Sequence, residues 1–484
     1  MSEIVQGAIG KFPDLAEFLK DVASALGEGS RAFFEPGRSI AIARAPGRLD
    51  VMGGFADYSG ALVLQLPLAE AAFAAVQTRS EPTVEILSLR QDGRRSRFRF
   101  DLSALPENRS EVSYERAREF FREREQDRWA AYVGGSYFVL RRELGARYVG
   151  GARILIGSAV PEGSGVSSSA ALEVASMRAI AAAHQVPLTP EQLALFSQKL
   201  ENRVVGAPCG AMDQMTAVFG QTGRLLALLC QPARLEGALP IPDGLRFWGI
   251  DSGVRHQVSG EDYGRVRAAA FMGRRILAEQ AAIEQNGRES GKEGNAKAPL
   301  GGYLANISPS EFLSGLSDSL PEEISGKAFL QRYGETGDPM TQVDADQIYA
   351  VRAAAAHPVN EHFRVRLFRS LFRGELNEDR LRLLGELMLQ SHAGYSACGL
   401  GSEQTDLLVD LVRELGPERG LYGAKVTGGG SGGAVAVLSA GDAQAAVFEI
   451  AARYSEKTGK PARIFADSSS GAVDFGIERT ILSD

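Results

Sequence analysis

The chain has 484 residues, and 53 Lys and Arg stand against 60 Asp and Glu, which gives a formal net charge of −7 at pH 7. This charge gives no reason to expect nucleic acid or an anionic membrane as a partner, and no apolar run approaches the roughly 18 residues of a membrane span. The first thirty residues lack a basic start followed by an apolar core, and the three cysteines are widely spaced. We therefore expect a cytoplasmic protein with reduced thiols.

The first half of the chain alternates strand-like and helix-like segments. Strands are predicted where apolar residues alternate or form short runs, at 39–45, 62–68, 84–90 and 153–160. Residues 112–128 are dense in Glu and Arg and predict one solvated helix, whereas 167–183 are apolar on most faces and predict a buried helix. The sequence TPEQ at 189–192 carries the signals of a capped helix start, and this helix is predicted to reach Val204.

The length of the chain predicts two domains of roughly 200 residues each. Further strands are predicted at 224–229 and 246–252. We place an N-terminal domain over 1–245 and a C-terminal domain over 246–484. Within the latter, 264–285 predict a helix, and the Gly, Lys, Glu and Asn of 286–302 predict a flexible surface insertion.

The most informative segment is PEGSGVSSSAAL at 161–172, between a predicted strand and a predicted helix. The free N–H groups and positive dipole end of a helix N-terminus favour phosphate, and serine hydroxyls there can bind Mg²⁺. A serine-capped buried helix would look the same, so this string alone leaves both interpretations open. The chain has no P-loop signature, and GGGSGG at 428–433 precedes a predicted strand, which excludes a dinucleotide fingerprint.

Three other motifs accompany this loop in the same order and at similar separations as in a known family. Residues 44–57 read RAPGRLDVMGGFAD, residues 209–214 read CGAMDQ and residues 425–433 read KVTGGGSGG. With the serine-rich loop, they resemble the sugar motif A-P-G-R-V-N-L-I-G-E-H-T-D, the catalytic-aspartate segment, the third glycine-rich motif and the phosphate loop of galactokinases, which are GHMP kinases. The resemblance implies an α+β fold of two domains, one ribosomal-protein-S5-like and one ferredoxin-like, with the active site in the cleft between them. It also implies an ATP-dependent sugar kinase that uses Mg²⁺.

The resemblance further implies roles for single residues. Asp213 matches the catalytic base, Arg48 the arginine beside it, and Ser169 and Glu201 the Mg²⁺ ligands. The implied ATP-binding residues are Gly163, Ser164, Gly165, Val166, Ser167, Ser168, Ser169, Gly429 and Gly430, and the implied sugar-binding residues are Gly54, Phe55, Asp57, Gly210 and Tyr263. Without the resemblance, Asp213 would be interpreted as a helix cap and Arg48 as one partner of a structural salt bridge.

The sugar motif departs from galactokinases at one point. Their Glu-His pair, which lies at the hydroxymethyl end of the sugar, is here Gly54-Phe55, while Asp57 is kept. Neither side chain accepts a hydrogen bond from a C6 hydroxyl, and a buried hydroxyl without a partner costs about 1–3 kcal/mol. This favours L-arabinopyranose, which has galactose's ring configuration without C6. The strings FWGIDSGVRH (247–256) and YSACGLGS (395–402) also resemble the kinase domain of plant L-arabinokinases. Alternatively, Phe55 belongs to the core and the sugar is held elsewhere.

Three functions follow from these observations. The first is phosphorylation of L-arabinose to β-L-arabinose 1-phosphate, and the second is phosphorylation of galactose to α-D-galactose 1-phosphate. The third, from another class, is a non-catalytic galactokinase-like sugar sensor, against which the retained Asp213, Arg48, Ser169 and Glu201 speak. The partners expected are a small sugar and ATP, and the chain is expected to be a monomer or a small homo-oligomer.

Overall fold

The computed structural model describes residues 8–25, 33–89, 93–255, 261–288 and 299–481. Most of its strands form one sheet of eight, in the order β14-β1-β2-β5-β3-β4, with β6 paired to β2 and β7 to β6. These strands are β1 (Ser39–Met52), β2 (Leu62–Thr78), β3 (Thr83–Leu89), β4 (Arg95–Asp101), β5 (Ala152–Ser158), β6 (Arg224–Leu229), β7 (Arg234–Pro240) and β14 (Glu478–Ile481). All neighbours are antiparallel except β3 and β5, which are parallel.

A second sheet of four antiparallel strands has the order β11-β12-β8-β13. Its strands are β8 (Leu245–Asp251), β11 (Leu421–Val426), β12 (Ala434–Ala440) and β13 (Arg463–Phe465), and a small ladder joins β9 (Ile324–Ser325) to β10 (Ile348–Tyr349). Antiparallel sheets combined with many helices confirm the predicted α+β class.

Helices cover both sheets. They are α1 (Asp14–Ser24), α2 (Tyr114–Arg122), α3 (Ala131–Leu144), α4 (Ser168–Ala183), α5 (Pro190–Lys199), α6 (Met212–Phe219), α7 (Glu261–Arg288), α8 (Gly326–Tyr333), α9 (Val351–Phe372), α10 (Glu378–Ala397), α11 (Glu403–Leu415), α12 (Gln444–Thr458) and α13 (Ala472–Phe475). Helix α4 packs on β1 and β2 through a nearly all-apolar surface, so it is buried as its composition predicts. In the described ranges, no helix combines the length and apolarity needed to cross a membrane.

The last strand, β14, belongs to the sheet of the N-terminal half of the chain. The second sheet begins with β8, close to the predicted boundary at 245/246, but β14 returns to the first sheet, where Ser39 pairs with Ile481. The predicted C-terminal domain over 246–484 did not anticipate this return. The limits of the two domains stay a prediction.

Three predicted helices have different bounds in the structure. The helix predicted over 112–128 is interrupted at Arg124, whose backbone is extended, so α2 is followed by a separate 3-10 turn over Glu125–Ala130. The helix predicted to reach Val204 changes to π-helix over Leu200–Val205. Helix α7 continues to Arg288 and so includes the first three residues of the predicted flexible insertion at 286–302, which stays a prediction. Residues 289–298 of that insertion lie outside the described residues, and Pro299–Gly302 form a 3-10 turn.

Candidate active site

A cleft opens where the loop after β5, the loop between β11 and β12 and the start of α6 meet. Its lining contains most of the residues predicted for the site: Arg48, Phe55, Asp57, Gly163, Gly165, Ser167, Ser168, Ser169, Glu201, Gly210, Asp213, Tyr263 and Gly429. Four others that line it were not predicted: Pro208, Cys209, Met212 and Gly428. Four predicted residues do not line it: Gly54, Ser164, Val166 and Gly430. The roles given to these residues stay predictions.

An ion pair between Arg48 and Asp213 lies in the centre of the lining. Arg48 donates from Nε to Asp213 Oδ1 at 3.0 Å and from Nη2 to Oδ2 at 3.1 Å, and its Nη1 donates to the Gly165 carbonyl at 2.6 Å. The Arg48 side chain is 4% exposed and that of Asp213 18%, so the carboxylate is the part open to the cleft. Burial lowers the pKa of Arg48, but the charges of Asp213 and Asp50 and the hydrogen bond to Asp213 together outweigh burial and raise the pKa. Asp213 is thus a fixed acceptor beside a fixed cation.

Local backbone features place Arg48 there. The pairing of β1 with β2 shifts between Pro46 and Arg48, and the Arg48 N–H leaves the ladder to donate to the Val166 carbonyl at 3.0 Å. Gly47 allows this approach, since a Cβ there would lie 2.7 Å from that same carbonyl oxygen. The bulge therefore joins the sugar motif to the serine-rich loop.

Asp57 and Gly210 meet on one wall of the cleft. A Cβ on Gly210 would overlap Asp57 Oδ2, so only glycine permits this contact. Asp57 is buried, and burial followed by the negative charge of Asp213 raises its pKa to about 6, while the charge of Arg267 opposes the rise. The Asp57 carboxylate lines the cleft and can accept hydrogen bonds there.

Phe55 is both a core residue and part of the lining. Its backbone is left-handed at φ 60°, and its ring packs edge-on against Tyr58 at 5.1 Å and Tyr263 at 5.3 Å between centroids. Only 1% of Phe55 is exposed. Phe55 is therefore a core residue that also lines the cleft, and the place where a sugar binds stays a prediction.

Gly54 has a packing role. A Cβ at this position would overlap Asp50 Oδ2 and the Tyr395 hydroxyl, and the Gly54 carbonyl lies 3.3 Å from His357 Nε2. The missing side chain therefore leaves no open space for a ligand, because Asp50 and Tyr395 occupy it. Sequence reasoning had considered this glycine only in relation to the sugar.

A buried ion pair behind Gly54 joins the two sheets. Lys425 Nζ in β11 lies 2.6 Å from Asp50 Oδ2 in β1, and both side chains are 0% exposed. Gln65 donates to the other Asp50 oxygen at 2.6 Å, and the Asp50 N–H donates to Thr427 Oγ1 at 2.7 Å. Sequence reasoning missed this pair; its signal was a charged residue within a short apolar stretch of each strand, Asp50 in LDVM and Lys425 in GAKV.

The two glycine-rich loops pack backbone to backbone. Gly163, Gly165 and Ser167 all have positive φ, and a Cβ on Gly433 would lie 2.9 Å from the Ser164 carbonyl oxygen. Ser167 does not cap α4, and its hydroxyl is buried without a hydrogen-bond partner among the described residues. The uncapped N-terminus of α4 therefore faces the cleft with free backbone donors, which suits phosphate oxygens.

Three residues of the predicted ATP-binding set are occupied elsewhere. The Ser164 hydroxyl donates to Asp251 Oδ2 at 2.6 Å and accepts from Arg255, which also donates to Asp251 at 3.3 Å. Val166 is fully buried in the core, and a Cβ on Gly430 would lie 2.7 Å from the Leu400 carbonyl oxygen. These residues shape the loops and do not line the cleft.

Ser169 and Glu201 fit a hard divalent cation. Glu201 is buried, accepts from Gln214 Nε2 at 2.6 Å and from the Ser169 hydroxyl, and has its pKa raised to about 7 by burial. A cation bound there would compensate the negative charge of the Glu201 carboxylate, as a proton otherwise does. Among the described residues, no group of three or more His, Cys, Asp or Glu could hold a metal. A two-ligand site that leaves positions for phosphate oxygens and water is typical of Mg²⁺.

Comparison with known proteins places the chain in a family. Three family models match: GHMP kinases N terminal domain over residues 131–221, GHMP kinases C terminal over 372–456, and galactokinase galactose-binding signature over 31–78. The L-arabinokinase of Arabidopsis thaliana is 41% identical over 99% of this chain, which spans about half (52%) of that relative's length. The galactokinase of Chloroflexus aggregans is 30% identical, over 87% of this chain and 89% of the relative.

Solved structures agree on the fold. The structure of Lactococcus lactis galactokinase complexed with galactose matches with a TM-score of 0.70 at 21% identity, covering 96% of this chain and 100% of that one. A mevalonate kinase from L. major matches with a TM-score of 0.51 at 16% identity, covering 90% and 99%. These matches confirm the predicted two-domain GHMP kinase fold. Because both domain models match in order and a relative aligns across nearly its full length, this chain belongs to the GHMP kinase family.

Proposed function

We propose that the protein is an ATP- and Mg²⁺-dependent kinase that phosphorylates the anomeric hydroxyl of L-arabinose and releases β-L-arabinose 1-phosphate. The observation that carries the proposal is the Arg48–Asp213 pair. Its carboxylate, 18% exposed, lines the cleft together with two glycine-rich loops and with Phe55, Asp57 and Tyr263, which we call the sugar-side wall. Phosphoryl transfer depends mainly on positioning and charge neutralisation, and this arrangement offers both.

In the proposed reaction, Asp213 is the base. The anomeric hydroxyl donates to the Asp213 carboxylate, which takes its proton as the sugar oxygen bonds to the γ-phosphorus. The bond from that phosphorus to the β–γ bridging oxygen breaks, and ADP leaves with the electron pair. Arg48, which is paired with Asp213, offsets the negative charge of the moving phosphoryl group.

The nucleotide phosphates would lie against the loops. Backbone N–H groups at the start of α4, with the hydroxyls of Ser167 and Ser168, face the place where triphosphate oxygens would bind. Mg²⁺, held by Ser169 and Glu201, would neutralise phosphate charge. Gly428 and Gly429 line the opposite side without side chains.

The sugar-side wall favours L-arabinose. Asp57 supplies an acceptor for the hydroxyls of the sugar ring, and Phe55 and Tyr263 supply aromatic surfaces. Asp50 occupies the space beside Gly54. Neither Gly54 nor Phe55 has a side-chain acceptor for a C6 hydroxyl. The 41% identity to a plant L-arabinokinase, against 30% to a bacterial galactokinase, supports the same choice.

A coupled ADP-release assay across pentoses and hexoses tests the substrate. We expect kcat/KM for L-arabinose to exceed that for galactose by about 5- to 150-fold, since one unpaired hydroxyl costs about 1–3 kcal/mol. Proton and phosphorus NMR of the product would identify the anomer. A preference for galactose would make the protein a galactokinase, and sugar binding without turnover would make it a sensor.

Asp213→Asn tests the base. The amide keeps the shape of the carboxylate, so sugar and ATP should still bind, while kcat should fall by at least ~10²-fold. The matched control is Asp410→Asn, an aspartate 70% exposed on α11, which should leave kcat unchanged. Near-normal turnover of Asp213→Asn would reject this residue as the base.

A further inference from the structure

Arg267 forms a buried clamp with Asp338 beside the sugar-side wall. It lies on α7 and donates from Nε to Asp338 Oδ2 at 2.8 Å and from Nη2 to Oδ1 at 2.9 Å. The two side chains are 6% and 0% exposed. Asp338 is itself held, since it accepts from the Thr341 hydroxyl at 2.6 Å and from the Met340 N–H at 3.2 Å. The guanidinium is therefore fixed in place.

The clamped guanidinium faces the residues that form the wall. It stacks over the ring of Tyr58 at 5.2 Å, and Tyr58 directly follows Asp57. Tyr263 precedes Arg267 by four residues on the same helix, which puts both side chains on one face, and the Tyr263 ring contacts Phe55. Arg267 therefore contacts Tyr58, the neighbour of Asp57, and the side chain of Tyr263, but it does not line the cleft.

A purely structural role leaves two atoms unexplained. Arg267 Nη1 and the Tyr58 hydroxyl are both buried and have no hydrogen-bond partner among the described residues. Buried donors without partners cost stability, so a pair kept only for folding would be expected to satisfy them. Arg267 and Asp338 also lie outside the three segments that the family models match.

The charge of Arg267 acts on Asp57. The charged and titratable groups beside Asp57 are Arg48, Asp50, Tyr58, Asp213, Cys230, Tyr263, Arg267 and Tyr395. Burial and the negative charges of Asp213 and Asp50 raise the pKa of Asp57, and Arg267 is the cation that opposes them. Arg48, the other cation of this set, is committed to Asp213.

We propose that Arg267, clamped by Asp338, is a positioning residue for sugar binding: it holds Tyr263 and the ionised Asp57 in the arrangement that receives the ring hydroxyls. It does not touch the reacting atoms. The inference rests on the proposed function, because it assumes that a sugar binds at Asp57 and Tyr263. It predicts that the pair controls sugar affinity and leaves the chemical step alone.

Two variants separate positioning from folding. Asp338→Asn keeps Arg267 but loosens the clamp, so KM for L-arabinose should rise about tenfold, while kcat and KM for ATP stay within about twofold. The double variant Arg267→Gln with Asp338→Asn removes both charges, so no buried charge is left alone. Without the cation, the acid limb of kcat/KM for the sugar should move up by about one pH unit, since Asp57 then ionises at higher pH.

The matched control is Arg275→Gln with Glu279→Gln, which removes an exposed ion pair on the same helix and should change neither KM nor the pH profile. Wild type is first assayed with L-arabinose and with galactose, and the variants are assayed with whichever sugar it accepts. If the wild type turns over neither sugar, the proposed function is overturned, and the inference is overturned with it.

Wild-type turnover together with an unchanged sugar KM in Asp338→Asn overturns the inference alone. A lowered melting temperature of the double variant, with its acid limb unmoved, also overturns it, because the pair is then only structural. A loss confined to kcat does the same, because Arg267 would then act on the chemical step.

Discussion

Gly54→Ala should destabilise the protein strongly, although it adds one methyl group. Asp50 Oδ2 and the Tyr395 hydroxyl both lie within 3.0 Å of the position that a Cβ would take, a separation that real Cβ contacts essentially never show. Neither atom can move freely, because Asp50 Oδ2 holds Lys425 at 2.6 Å and the Tyr395 hydroxyl donates to the Gly428 carbonyl at 2.8 Å. The methyl group would therefore break packing and two buried polar contacts together.

The magnitude follows from these two effects. Overfilling a packed site costs about 1–3 kcal/mol. Weakening a hydrogen bond to a charged group adds about 1.5–3 kcal/mol, so we expect Gly54→Ala to lower the free energy of unfolding by about 3–5 kcal/mol. Because Gly428 lines the cleft, KM for ATP should rise in whatever fraction stays folded.

Denaturant unfolding at equilibrium measures the effect. Gly264→Ala is the control, since this helical glycine has open space at the Cβ position. The substitution should stabilise the protein by about 0.4–1 kcal/mol. Adding Tyr395→Phe to Gly54→Ala removes one overlapping atom and should restore part of the loss. A Gly54→Ala protein within about 1 kcal/mol of wild type would refute the packing argument.

Three further outcomes are expected. Glu201→Gln keeps size but removes the ligand charge, so half-maximal activity should need much more free Mg²⁺; an unchanged Mg²⁺ titration would assign the metal to other groups. Lys425→Met leaves Asp50 buried and unpaired, and should cost about 3–5 kcal/mol in denaturant unfolding, most of it recovered by adding Asp50→Asn. Since Asp57 has a pKa of about 6, kcat/KM for the sugar should fall as the pH drops below 6. Because folding raises the pKa of Asp57, its protonation at low pH favours the folded state. Melting curves at pH 5 should therefore exclude unfolding as the cause of the lost activity.

Most local elements and the order of the motifs could be predicted from the sequence, although the bounds of three helices could not. The capping box at Thr189 and Gln192 is present as predicted, because its hydrogen bonds join residues three apart. Gly163 and Gly165 of the serine-rich loop have positive φ, which glycine adopts without strain, and α4 is buried as its composition requires. Such features depend on neighbours along the chain, so a single sequence carries them.

Which buried polar groups meet depends on the tertiary structure. Asp50 and Lys425 are 375 residues apart, Ser164 and Asp251 are 87 apart, and Arg267 and Asp338 are 71 apart. Periodicity places each of these residues on an element but says nothing about which other element covers it. A buried charge is tolerated only where packing brings its partner within hydrogen-bond distance, so these pairs, and the crowding that requires glycine at residue 54, follow from the assembled sheets and not from local pattern.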